Sequence, residues 1–94
     1  MIVYGLKTCD ACRKVLKSNE SARLRDVRAE PLTPTEIDRF LAVLGDALVN
    51  RRSATWRQLD AAERAAPPAV LLARYPALMK RPVIEEDGNL RIGA

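Results

Sequence analysis

A pair of cysteines, Cys9 and Cys12, constrains the fold of this chain more than any other feature. The apolar run Met1–Gly5 predicts a short buried strand that ends at its glycine. Residues Asp10–Ser18 then carry apolar side chains at helical spacing, which predicts a helix that begins just after the first cysteine. Residues Ala22–Arg28 alternate weakly, which predicts a second strand. The two cysteines therefore lie where the first strand of a predicted β-α-β unit meets its helix.

The rest of the chain is predicted to be a helical stretch followed by a β-hairpin. Thr33–Glu36 is a capping box with proline at the first helical position, and Asp60–Glu63 is a second capping box. A turn at Glu86–Asn89 between apolar pairs is typical of a hairpin. We therefore expect one α/β domain over residues 1–94, with a helical insertion at about 33–79. A C-x-x-C pair in such a β-α-β unit is typical of a thioredoxin-like redox site.

Composition excludes several classes of site and partner. The chain has no histidine, which removes Ser-His-Asp and Cys-His catalysis and leaves two thiolates two ligands short of a zinc site. We therefore expect no metal. The net charge is +4, from 16 Lys and Arg against 12 Asp and Glu. This balance favours anionic ligands or acidic partner surfaces, but it does not indicate direct nucleic-acid binding. No apolar run reaches the ~18 residues that a membrane-spanning helix needs, so we expect no membrane partner.

The number of cysteines predicts the compartment. Secreted disulfide scaffolds carry more cysteines than the two present here and space them widely. The opening residues Met1–Gly5 are too short for a signal peptide and have no basic stretch before them. We therefore expect a cytoplasmic protein in which the cysteines are kept reduced unless they are used. We also expect a monomer.

Four stretches, in order along the chain, resemble the arsenate reductase (ArsC), Spx and YffB-like family of thioredoxin-fold proteins. They are Tyr4–Lys14, Leu48–Leu59, Leu78–Ile84 and Leu90–Gly93. The resemblance implies a thioredoxin-like fold with a helical insertion before the final hairpin, and a cis peptide bond before Pro82. It also implies a shortened member, because the first helix and following loop are short and the family's usual C-terminal helix is missing.

Cys9 is the candidate nucleophile. Only a thiolate attacks sulfur efficiently, and an ordinary thiol with a pKa near ~8.5 is mostly protonated at neutral pH. The predicted helix after Cys9 directs backbone N–H groups and the positive end of its dipole towards the sulfur. Lys7 and Arg13 add positive charge nearby and are candidate anion-binding residues. We favour this reactive interpretation over a buried, inert cysteine.

Cys12 is the candidate resolving cysteine. It lies about one helical turn after Cys9 and on the same side, so a disulfide between them can close. The alternative interpretation is a small buried residue on the inner face of the helix. Within the family this position varies: Spx-like proteins have C-x-x-C, whereas arsenate reductases and YffB-like proteins usually keep only the first cysteine.

Arg81 and Pro82 are the remaining candidate site residues. The resemblance makes Pro82 the cis-proline that presents its backbone to a bound thiol partner. Arg81, just before it, is placed to hold an anion or to stabilise a thiolate, because its guanidinium is always charged and can bind in a bidentate way. The alternative for Arg81 is a solvated cation at the end of a strand.

The resemblance also carries an argument against arsenate reduction. Asn50 and Ile92 stand where arsenate reductases of the family place two oxyanion-binding arginines. We therefore expect a small thiol oxidoreductase without a bound cofactor, with glutathione or a protein thiol as its partner. Glutathione would be a co-substrate. The alternative is an Spx-like redox-switch regulator or adaptor that binds RNA polymerase or another protein, and a third possibility is a folded relative that has lost its redox chemistry.

Overall fold

The computed structural model describes residues 1–93, and this part of the chain divides into two compact units. The first unit consists of Met1–Pro31 and the chain from Arg81 onward, and the second is Leu32–Lys80. The second unit nearly matches the predicted helical insertion at about 33–79. That residues 1–94 form one domain stays a prediction. Among the described residues, no helix combines the length and the apolar character needed to cross a bilayer.

Within the described residues, the first unit contains a four-stranded sheet and one helix. Its elements are β1 (Ile2–Gly5), α1 (Asp10–Ser18), β2 (Arg23–Asp26), β3 (Val83–Glu86) and β4 (Asn89–Ile92). The strand order is β2-β1-β3-β4. Strand β2 is parallel to β1, whereas β3 is antiparallel to both β1 and β4. The predicted β-α-β unit, the closing hairpin and the mixed α/β thioredoxin-like fold are confirmed.

Helix α1 packs on the sheet through a small apolar cluster. The buried centre of this cluster consists of Val3, Cys12, Val15 and Ile84. Apolar residues of α1 face inward at helical spacing, while Arg13 and its charged neighbours on the helix stay exposed. Cys12 is therefore a core residue of the first unit as well as a member of the cysteine pair.

Strand β2 is shorter than the predicted strand Ala22–Arg28. It pairs only with the four residues of β1, in a register that runs from Ile2 opposite Arg23 to Gly5 opposite Asp26. The carboxylate of Asp26 then turns the chain away from the sheet, because it accepts three backbone N–H groups, those of Lys7, Arg28 and Ala29. The length of the strand is thus set by its partner and by this turn, and not by its own alternation.

The hairpin turn falls at the predicted residues Glu86–Asn89, and the strands extend to its first and last residues. Its loop consists of two residues, Asp87 and Gly88, with φ angles of 53° and 78°. Positive φ at both central positions is the geometry of a type I′ turn, which matches the twist of the flanking strands. Glu86 and Asn89 therefore belong to the strands and face each other across the sheet.

In the second unit, the described elements are short helices and turns. They are α2 (Pro34–Leu44), α3 (Ala54–Gln58), α4 (Ala61–Arg64) and α5 (Pro68–Arg74), with 3-10 turns at Gly45–Leu48 and Pro76–Leu78. Both predicted capping boxes are present, one before α2 and one before α4. Helix α2 packs against α5.

Candidate active site: the paired thiols

Cys9 lies at the junction between the β1–α1 loop and helix α1. It is the N-cap residue of α1, with an extended backbone at φ −84° and ψ 121°. Its backbone N–H donates to the carbonyl oxygen of Leu6 at 3.0 Å, and its own carbonyl accepts from the N–H of Arg13 at 3.0 Å. These two bonds fix the residue on the loop side and on the helix side.

The two thiols differ in exposure. Cys12 is 0% exposed, whereas Cys9 is only half-buried. Both are free thiols in this structure, without a disulfide between them. Cys9 is thus the more exposed of the two thiols.

The surroundings of Cys9 favour its thiolate. Partial burial acts to raise the pKa of the Cys9 thiol, but hydrogen bonds to the sulfur outweigh it and the net shift of the pKa is downward. The groups that lower it are the backbone N–H and the thiol of Cys12, the side chain of Arg81 and the backbone N–H of Ala11. The amides act on the sulfur although the side chain makes no capping hydrogen bond of standard geometry. The expected effect of the helix start is thus present.

The surroundings of Cys12 favour its neutral thiol. Burial raises the pKa of the Cys12 thiol to about 11, and the N–H of Leu6 only partly offsets this. The hydrogen bond to Cys9 and the negative charge of the Cys9 thiolate raise the pKa of Cys12 further, whereas the positive charge of Arg81 lowers it. The arrangement therefore favours a thiolate at Cys9 that accepts a hydrogen bond from the neutral thiol of Cys12.

The peptide bond between Arg81 and Pro82 is cis, as the resemblance implied. Strand β3 begins at the next residue, Val83, which pairs with Tyr4 of β1. This pairing places the end of β1 beside the segment that carries Arg81. The side chain of Arg81 consequently reaches the Cys9 sulfur. The structure thus brings Cys9, Cys12, Arg81 and Pro82 to one end of the sheet.

Lys7 and Arg13 make their contacts elsewhere. The Nε of Arg13 donates to the carbonyl oxygen of Lys7 at 2.9 Å, and its Nη1 lies 3.9 Å from the Asp10 carboxylate. The backbone N–H of Lys7 donates to the Asp26 carboxylate at 3.1 Å. Both side chains are exposed, and an anion-binding role for either one stays a prediction.

Gly5 and Leu6 belong to the site, although the sequence singled out neither as a site residue. A Cβ atom at Gly5 would collide with the Sγ of Cys12. Leu6 contacts both cysteines through its backbone, because its carbonyl accepts from Cys9 and its N–H interacts with the Cys12 sulfur. Gly5 was visible in the sequence only as the end of a strand. A glycine directly before a C-x-x-C loop was the available signal.

Asn50 and Ile92 take structural positions in their own units. The side-chain oxygen of Asn50 accepts the N–H of Arg52 at 3.0 Å, which forms a turn before α3. Ile92 pairs with Val83 in the sheet. Neither residue supplies a guanidinium. Over residues 1–93, the structure contains no cluster of three or more cysteine, aspartate or glutamate side chains that could hold a metal ion.

Comparisons with known proteins find related sequences and a related fold. The model of the ArsC family matches residues 4–94. An uncharacterized protein of Haemophilus influenzae is 38% identical, over 97% of this chain and 88% of its own length. The global transcriptional regulator Spx of Bacillus subtilis is 26% identical, over 97% of this chain and 77% of its own length. The solved structure of a YFFB protein superposes with a TM-score of 0.88 at 28% identity, covering 99% of this chain and 90% of that one.

Proposed function

This chain belongs to the ArsC family, and from that premise we propose that it is a small thiol-dependent oxidoreductase acting on a disulfide or an oxidised thiol. The observation that carries the proposal is the difference between the two thiols. Cys9 is half-buried, and the pKa of its thiol is lowered, whereas Cys12 is buried and the pKa of its thiol is about 11. This is the division between an attacking and a resolving cysteine.

In the first step the Cys9 thiolate attacks one sulfur of the substrate disulfide. A new S–S bond forms to Cys9, and the other substrate sulfur leaves as a thiolate that takes up a proton. Arg81 holds the Cys9 thiolate in its charged form before the attack, and the backbone beside Pro82 lies next to the incoming sulfur. The first product is therefore a mixed disulfide at Cys9.

In the second step Cys12 attacks the Cys9 sulfur and releases the bound thiol. The mixed disulfide removes the negative charge at Cys9, and with it two of the effects that raise the pKa of the Cys12 thiol. The Cys12 proton then passes to the leaving thiolate, and a Cys9–Cys12 disulfide remains. Two glutathione molecules, or one protein dithiol, supply the two electrons that reduce it.

This proposal includes no metal and no tightly bound cofactor. Glutathione or a protein thiol acts as a co-substrate, and the protein works in the cytoplasm as a monomer. A true arsenate reductase is a weaker fit, because Asn50 and Ile92 stand where that activity uses arginines. Losing two charge-assisted contacts of ~1.5 to 3 kcal/mol each would weaken oxyanion binding by several kcal/mol.

A second candidate function is a redox-switch regulator or adaptor. The similarity to Spx over 97% of this chain favours it, as does the C-x-x-C pair itself. In this function the Cys9–Cys12 disulfide changes the affinity for RNA polymerase or another protein partner, and no substrate is turned over.

A coupled turnover assay separates these two functions. The reduced protein is given a mixed disulfide of glutathione and a small thiol, with glutathione, glutathione reductase and NADPH. An oxidoreductase consumes NADPH, Cys9→Ser abolishes the consumption, and Cys12→Ser leaves a mixed disulfide on Cys9 that mass spectrometry detects. No turnover and no adduct on Cys9 would contradict the enzyme proposal, and binding of reduced and oxidised protein to RNA polymerase would then test the regulator.

A further inference from the structure

We propose that Gly5 is a positioning residue for the thiol pair: its missing side chain leaves the space that the Cys12 sulfur occupies, so that Cys12 reaches Cys9. The inference deepens the proposed function and rests on it. It concerns a residue of β1 that takes no part in the bond-making steps of the proposed reaction.

The space at Gly5 is filled by Cys12. A Cβ atom built at Gly5 would overlap the Cys12 Sγ and lie 3.4 Å from the Cys12 Cβ. The next neighbour, the Arg81 Cβ, is 4.0 Å away, which is an ordinary van der Waals distance. The conflict is therefore with one sulfur atom. An alanine at residue 12 would remove that atom and leave a contact at the near edge of the normal range.

The backbone of Gly5 cannot move aside without disturbing the sheet. Gly5 is the last residue of β1, opposite Asp26 in the parallel pairing with β2. Its carbonyl accepts the N–H of Val27 at 2.9 Å. These contacts hold the strand end in place from the side of β2.

Cys12 cannot move away as a whole either. It is 0% exposed and packs with Val3, Val15 and Ile84 in the core of the first unit. Such interiors are densely packed, so a helix shift would disturb several contacts at once. The remaining movement is rotation of the sulfur about χ1. In its present position the Cys12 thiol hydrogen-bonds with the Leu6 N–H and with Cys9, and the rotation would take it away from both.

The reason for glycine at this position is space and not backbone conformation. Gly45, Gly88 and Gly93 have φ angles of 70°, 78° and 87°, and a Cβ at any of them would meet nothing within 4 Å. Gly5 is the reverse case, since its φ lies outside the left-handed region and its Cβ position is occupied. Alanine at residue 5 thus conflicts with Cys12 and not with the local fold.

The test measures the pKa of Cys9 in the whole chain. The pH dependence of iodoacetamide alkylation gives this pKa, and peptide mapping confirms that the label is on Cys9. We expect Gly5→Ala to raise the pKa of Cys9 by as much as Cys12→Ala does. In the Cys12→Ala background, we expect Gly5→Ala to cause no further shift. Gly88→Ala is the matched control: it strains the hairpin turn of the same unit, lowers stability and leaves the pKa of Cys9 unchanged.

Two results would overturn the proposal. One is a folded Gly5→Ala protein whose Cys9 keeps the wild-type pKa, and the other is an equal shift in both backgrounds. If Gly5→Ala does not fold, the double variant decides. Recovery of the fold by Cys12→Ala supports the assignment, whereas an unfolded double variant shows that Gly5 serves the strand itself. Because the pKa readout needs no turnover, an inactive wild type would contradict the proposed function and leave this test intact.

Discussion

Two identical side chains three residues apart have opposite acid–base properties in this molecule. Cys9 sits at the start of a helix with four groups that stabilise negative charge on its sulfur. Cys12 lies in an apolar cluster, where burial raises the pKa of its thiol to about 11. The difference originates in the surroundings, because the ordinary pKa of both thiols is the same. Substitutions around the sulfur atoms therefore test the assignment of roles more directly than substitution of the cysteines.

Arg81→Gln should raise the pKa of Cys9, because it removes a side chain that hydrogen-bonds to the sulfur. The midpoint of the alkylation–pH profile should therefore move to higher pH, and the thiolate fraction at neutral pH should fall. Arg91→Gln is the control, since the Arg91 guanidinium pairs with Glu86 at 3.3 Å. An unchanged midpoint in Arg81→Gln would remove Arg81 from the set of residues that stabilise the thiolate.

The buried Cys12 should make the protein less stable in alkaline solution. The pKa of this thiol is about 11 in the folded chain, which is about two units above its ordinary value in the unfolded chain. Between these values the unfolded state binds fewer protons, so the free energy of unfolding falls as the pH rises. Two pKa units correspond to at most about 2.7 kcal/mol, and we expect a loss of about 1 to 2 kcal/mol.

Urea unfolding in the presence of a reductant, from about pH 8 to pH 11, measures this loss. Cys12→Ala should show a smaller decrease over the same interval, because it lacks the group that must stay neutral. Equal pH dependence in the two proteins would mean that the Cys12 thiol ionises as easily in the fold as in the unfolded chain.

At the scale of elements, local signals predicted most of the structure and tertiary pairing decided the remainder. The capping boxes at Thr33 and Asp60 act within four residues, so the sequence alone is sufficient to place α2 and α4. The ends of β2 depend on β1 and on the turn at Asp26, which the local alternation could not reveal. The cis bond before Pro82 ran against the local expectation of ~5 to 6% cis, and only the family resemblance predicted it.

Thr33→Ala should lower the free energy of unfolding by about 0.5 to 2 kcal/mol. The Thr33 hydroxyl oxygen accepts the Glu36 N–H at 3.1 Å, and the Glu36 carboxylate accepts the Thr33 N–H at 2.9 Å. The substitution leaves the first turn of α2 without its side-chain acceptor. Thr35→Ala, on an exposed site of the same turn, should change stability little. Chemical unfolding of the two variants decides, and equal losses would contradict a specific capping effect.

At the scale of the whole molecule, the site is assembled from segments far apart in the sequence. The cysteines follow β1, whereas Arg81 and Pro82 precede β3, and the antiparallel pairing of β1 with β3 brings them together. The sequence marked Cys9, Cys12, Arg81 and Pro82 as candidates because motif and resemblance both contained them. It could not reveal that the Cys12 sulfur fills the space of a Gly5 side chain, because that contact exists only once helix α1 lies on the sheet.

We expect no useful arsenate reductase activity from this protein when arsenate is supplied with glutathione and glutaredoxin. Asn50 accepts a backbone N–H in a turn and Ile92 lies in β4, so neither supplies the positive charge that an arsenate oxyanion needs. A coupled assay that records NADPH consumption as arsenite forms measures the activity. Robust turnover would show that this chain binds the oxyanion without those two arginines.

Because Cys12 is fully buried, its chemical labelling can report unfolding of the native protein. A thiol reagent added to the native protein should attach one label per molecule, on Cys9, and the second label should wait for an opening event. The rate of the second mass increment, counted by mass spectrometry, would then report how often the first unit opens. In a sample held under denaturing stress in the presence of the reagent, the ratio of doubly to singly labelled protein would measure how much of the protein had opened.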